Sequence, residues 1–184
     1  MHTSACTHTH THTHTHTHTH THTHTLNFSL SLSCNFAFAV CNSLLSCVEQ
    51  FPRTGKTYPD VQVDMNNTAV TLNQAASDIV SASRGTPQEL ATSSSRYSNA
   101  YEEFVHTGLT MAGLSKDTET QNQIVGGLKS VSMVSSKLLL AAKSVSADPN
   151  APNAKNLLAQ AARSVSCAGV ANDLLHRRTV RQTV

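Results

Sequence analysis

Between Val63 and Val165 apolar residues recur at spacings of three and four, in four runs separated by residues that stop a helix. Spacing of that kind fits an amphipathic helix and does not fit a strand, whose side chains alternate faces. Aromatics make up 4% of the chain and there is no Trp, so a core must be built from Ala, Leu, Val, Ile and Met. The chain therefore reads as all-α.

The first run, from about Val63 to Ser83, places Met65, Val70, Leu72, Ala76, Ile79, Val80 and Ser83 on one stripe. Ser83-Arg84-Gly85-Thr86-Pro87 ends it. Gly85 suits the position after a helix, Thr86 an N-cap, and Pro87 a first helical turn. Glu89, three residues beyond Thr86, completes a capping box. The second run, from about Pro87 to Gly113, gathers Leu90, Tyr97, Tyr101, Phe104, Val105, Gly108, Met111 and Ala112. An aromatic stripe at this spacing is core.

The third run spans about Asp117 to Ser146. Ile124, Leu128, Val131, Ser135, Leu138, Leu139, Ala142 and Val145 form its buried face, with Lys129, Lys137 and Lys143 outside it. Gly126-Gly127 costs about 1 kcal/mol per Gly relative to Ala. Packing must offset that, and small residues there would let a neighbouring helix come close. Asp148-Pro149-Asn150-Ala151-Pro152 is a break. A fourth helix follows from about Pro152, with Leu158, Ala161, Ala162 and Val165 on its apolar face. Beyond Ser166 the phase slips: Val170 and Leu174 fall on another stripe, and Arg177, Arg178 and Arg181 make a basic tail expected to fray. Four such helices with short connections predict an up-and-down bundle.

Residues 1–50 differ in kind. Thr7 to Thr25 alternates Thr and His, and ten of the twelve His lie at or before His24. In an extended strand these imidazoles would share one side and offer nitrogen ligands to a borderline metal. The same run is what a CA-repeat DNA gives when read in triplets, and it cannot bury a core. Leu26 to Val48 carries no charge and exceeds the roughly 20 residues that span a bilayer. Eight of its residues are Ser or Asn, and no Lys or Arg stands before it as a signal sequence requires. Its Phe, Leu, Ser and Cys have pyrimidine-rich codons, which points to translated non-coding DNA. Three regions result: 1–50, the foldable stretch 51–166, and a basic tail 167–184.

The formal charge of +2 gives no field that would favour nucleic acid. Cys6, Cys34, Cys41, Cys47 and Cys167 show no CxxC spacing, so neither a zinc site nor a redox motif is indicated. No phosphate loop, nucleophile elbow, HExxH or useful carboxylate pair occurs. A hydrolase using His106 or His176 lacks a supporting constellation, and the many Ser and Thr read as solvated helix faces. Neither an enzyme nor a cofactor protein is expected.

The stretches TLNQAASDIVSASRGTPQELA (Thr71 to Ala91) and LKSVSMVSSKLLLAAKSVSADPNAPNAKNLLAQAAR (Leu128 to Arg163), with the intervening EEF and MAG, resemble a bundle of the talin rod. The resemblance covers about Phe51 to Ser166. It implies a cytoplasmic adaptor of focal adhesions linking integrin tails to actin, here reduced to about four helices of a five-helix rod bundle. It also implies a vinculin-binding helix, buried until tension opens the bundle. The family's pattern, roughly Leu-x-x-Ala-Ala-x-x-Val, matches Leu158, Ala161, Ala162 and Val165. Its aliphatic continuation meets Gly169, and the family's last helix is absent. The resemblance assigns integrin and actin binding to other parts of such proteins. The alternative reading is a small membrane-anchored or secreted protein that uses Leu26 to Val48 as its anchor and the His tract to bind metal.

Overall fold

The computed structural model describes residues 51–182, Pro152 excepted, together with Asn35 and Ala39, and side chains as far as Ala168. The Thr-His tract and most of Leu26 to Val48 lie outside the described residues. Four helices follow in order: α1 (Tyr58–Ala82), α2 (Pro87–Leu114), α3 (Thr118–Ala147) and α4 (Ala154–Gln182). Their connections are short, which makes successive helices antiparallel. α1 packs most extensively on α2 and α3 on α4, while α2 against α3 and α1 against α4 close the ring.

Each N-terminus is set by local chemistry. At α1 the Asp60 carboxylate accepts the Thr57 N–H at 3.2 Å and the Thr57 hydroxyl at 2.6 Å. Those bonds hold the Asp60 carboxyl below the usual range. At α2 the expected capping box is present, with Thr86 N–H donating to Glu89 Oε2 at 2.9 Å and Glu89 N–H to Thr86 Oγ1 at 3.2 Å. At α3 the Asp117 carboxylate accepts from the Thr120 N–H (2.9 Å) and hydroxyl (2.8 Å). With the Glu119 N–H donating to Asp117 Oδ1 at 3.4 Å, two orphan backbone donors are satisfied at the start of the helix.

Every residue assigned from sequence to the buried stripes of α2 and α3 is inside. α3 is long and apolar enough by composition to cross a membrane. Its Ile124, Leu128, Val131, Leu138 and Leu139 are nonetheless wholly buried against the other helices.

α1 departs from expectation in two ways. It begins five residues before Val63, which brings Val61 into the core, and Val70 is 69% exposed. Thr68 takes the core position instead, its hydroxyl donating to the Met65 carbonyl at 3.1 Å. At about 100° per residue, Val70 lies far round the helix from Met65, whereas Thr68 lies beside it. α4 also departs: its backbone stays helical through the basic segment to Gln182 instead of fraying after Ser166.

The seam between α2 and α3 is fixed at four levels. Tyr97 Oη and Ser135 Oγ are 2.6 Å apart. Tyr101 donates to Ser132 Oγ at 2.5 Å, and the Ser132 hydroxyl donates in turn to the Leu128 carbonyl at 2.8 Å. Gly108 sits against Leu128, and Gln121 Nε2 donates to the Ala112 carbonyl at 3.1 Å. Ser132 is therefore a buried partner and not the solvated face expected of serines, as is Ser94, whose hydroxyl donates to the Leu90 carbonyl at 2.8 Å, while Ser135 is buried as its place on the α3 stripe predicts. Burial also pushes the Tyr97 phenol well above its ordinary pKa. A hydroxyl pair inside a low-dielectric core is worth keeping satisfied, because an orphaned partner costs about 1–3 kcal/mol.

At Gly126 no close helix approach is found, whereas one occurs at Gly108. A Cβ there would meet Leu128 Cδ2 at 2.5 Å, whereas one added at Gly126 would meet nothing within 4 Å. Gly126 thus carries the backbone-entropy cost of glycine without a packing gain. Gly126→Ala is expected to stabilise the bundle by about 0.5–1 kcal/mol. Urea denaturation followed by circular dichroism checks this, and a loss of stability would show that the position is not open.

Candidate partner-binding helix

α4 opens after a turn in which Ala151 N–H donates to the Asp148 carbonyl at 3.2 Å and Asn150 N–H to Asp148 Oδ1 at 3.0 Å. Its apolar stripe is Ala154, Leu158, Ala162 and Val165, with Leu158 and Val165 at zero exposure. Three of the four residues assigned from sequence lie on it. Ala161 does not: it is half-buried and borders the outer groove towards α3. Ala154 was missed because it directly follows the break, although it stands four residues before Leu158 on the same stripe.

The described polar groups of α4 turn onto their own helix or outward. Ser164 donates to the Gln160 carbonyl at 3.0 Å, Arg163 Nε to the Ala159 carbonyl at 3.3 Å, and Ser166 to the Ala162 carbonyl at 3.4 Å. Among the described residues its buried face consequently holds no titratable group. What this stripe can do chemically is pack, either on the bundle or in a groove of similar shape elsewhere. Gly169, Val170, Leu174 and His176 lie beyond the described side chains.

Other candidate chemistry is sparse. His106 is exposed on α2. Among the described residues no three His, Cys, Asp or Glu side chains converge as metal ligands would. Cys167 is exposed and unpaired in a disulfide.

The family described as "Talin 1-like, rod segment domain" matches residues 39–177. Talin-1 of Gallus gallus is 52% identical over 118 residues, covering 64% of this chain and 5% of that protein. Talin-2 of Mus musculus is 50% identical over 119 residues, 65% of this chain and 5% of its own length. Talin of Oscarella pearsei is 52% identical over 120 residues, again 65% and 5%. The chain thus spans about one-twentieth of the length of these relatives. With the helical ring and the caps reading the same way, this chain belongs to the talin rod segment family.

Proposed function

We propose that this chain is a segment of a cytoskeletal adaptor in which α4 is a concealed vinculin-binding helix, exposed when tension opens the bundle. The supporting observation is the burial of Leu158, Ala162 and Val165 on one stripe of α4 that holds no titratable group among the described residues. Two hosts compete for that one stripe. While α4 packs on α1 and α3, a partner groove cannot reach it, so accessibility is set by the stability of the closed ring. The setting that goes with this function is the cytoplasmic face of focal adhesions, with integrin and actin engaged by other parts of the relatives' longer chains.

The test compares vinculin head binding to the intact chain and to a peptide of residues 154–182 by fluorescence anisotropy. The peptide is expected to bind at least about 100-fold more tightly, a difference of about 2.7 kcal/mol in accessibility. Val165→Asp in the peptide should abolish binding, because a carboxylate cannot be buried unpaired in an apolar groove. Equal affinities for chain and peptide, or full binding by the Asp peptide, would sink the assignment.

A further inference from the structure

The outer seam of α3 and α4 forms a shallow groove of about 470 Å³. Ala141 and Ala161 line its floor, with Leu140 and Leu157 beside them at 56% and 57% exposure. Lys137 also borders it, and no carboxylate does. This stripe is separate from the buried face of α4 discussed above.

A matching ridge occurs on another helix. α1 exposes Val63 (58%) and Val70 (69%). They lie two turns apart, roughly 10 Å along the axis; Asp60 is near the first of them, as is Asp64, which is paired with Lys56 at 2.6 Å. The charges are segregated in the same sense. α1 and α2 carry Asp60, Asp64, Asp78, Glu89, Glu102 and Glu103 against Arg96 alone. α3 and the described part of α4 carry Lys129, Lys137, Lys143, Lys155 and Arg163 against Glu119 alone.

We infer that the α3/α4 groove of one copy receives the α1 ridge of a second copy of this chain. Each face leaves large apolar side chains in water, and the α1/α2 side is net negative where the α3/α4 side is net positive. Opposite potentials favour this pairing and disfavour groove against groove, which would bring Lys137 towards its own copy. Ridge and groove belong to different helices, so the contact is heterologous and continues from copy to copy unless the rotation closes a ring. Two valines over a shallow trough make a small interface, so the association is weak and dependent on concentration.

Sedimentation velocity of the full chain, with EDTA present to silence the His tract, provides the test. At about 0.1 M NaCl the weight-average sedimentation coefficient should rise with concentration. It should fall back towards the monomer value at about 1 M, where the screening length drops from roughly 10 Å to 3 Å. Leu157→Glu removes the groove and Val70→Lys the ridge. Both positions are exposed, so circular dichroism should report unchanged melting for each. Each variant alone should be monomeric, whereas an equimolar mixture should form a complex that stops at the dimer. Only pairing of an intact ridge with an intact groove gives that result. A monomeric wild type, association that survives either substitution, or a mixture that stays monomeric overturns the proposal.

Discussion

Phe104→Ala is expected to lower the unfolding free energy by about 3–5 kcal/mol, the range for deleting a buried aromatic ring. Phe104 has zero exposure and lies on α2 between the levels of Tyr101 and Gly108 in a chain with no Trp. Its neighbours cannot collapse to fill the void. The register of α3 beside it is fixed by the Tyr97–Ser135 and Tyr101–Ser132 pairs above and the Gly108–Leu128 contact below. A cavity that cannot relax keeps its full penalty, because the surrounding atoms lose their dispersion partners outright. Small domains are stable by about 5–15 kcal/mol, so the loss is a large fraction of the whole. Urea melts should show a lower midpoint with an unchanged slope. Val70→Ala, at a position 69% exposed, should move the midpoint little. A Phe104→Ala loss below about 1 kcal/mol would show that the ring does not sit in a packed core.

The parts of this fold that could be read from sequence are those where one signal has one meaning. Thr86 with Glu89 can hardly do anything but cap a helix, and it does. The α2 stripe has an aromatic or aliphatic residue at nearly every inward position, so counting by three and four finds it. α1 failed where residue type and geometry disagree. Val70 is more apolar than Thr68, and a reading by hydrophobicity prefers it. Yet a threonine can return its hydroxyl to a helix carbonyl and be buried at little cost, as Thr68 does with Met65. The early start of α1 was legible in Thr57-Tyr58-Pro59-Asp60, a cap, a first-turn proline and an N3 acid that the stripe-based reading passed over.

Ser135 stood on the predicted stripe, but the burial of Ser132 and the partners of both serines were hidden for a different reason. Nothing at Ser132 or Ser135 announces a tyrosine 31 or 38 residues away, because cross-helix hydrogen bonds have no local signature. The glycines show the same limit. Gly108 and Gly126 look alike in sequence, and only the neighbouring helix distinguishes the contact from the open space. For the candidate site, the buried α4 stripe was recovered but its edge was not. Ala161 and Ala162 are one residue apart, which on a helix is enough to put one against the groove and the other inside.

If concealment limits binding, Phe104→Ala should also tighten the affinity of the intact chain for vinculin head, by about two to three orders of magnitude. This follows from the same stability loss. Apparent affinity scales with the fraction of molecules whose α4 is free, and about 1.4 kcal/mol of destabilisation multiplies a small fraction tenfold. The substitution lies on α2, outside any segment the partner would hold, so the peptide of residues 154–182 should bind as before. The gain must also stop once the open fraction approaches unity, which places the peptide's affinity as its ceiling. A direct effect on the interface would not respect that ceiling. Titration of wild-type chain, Phe104→Ala chain and peptide against vinculin head therefore separates the cases. An unchanged affinity in a variant shown by urea to be destabilised would mean that the closed ring is not what withholds α4. The energy barrier to binding would then have to lie in the helix itself.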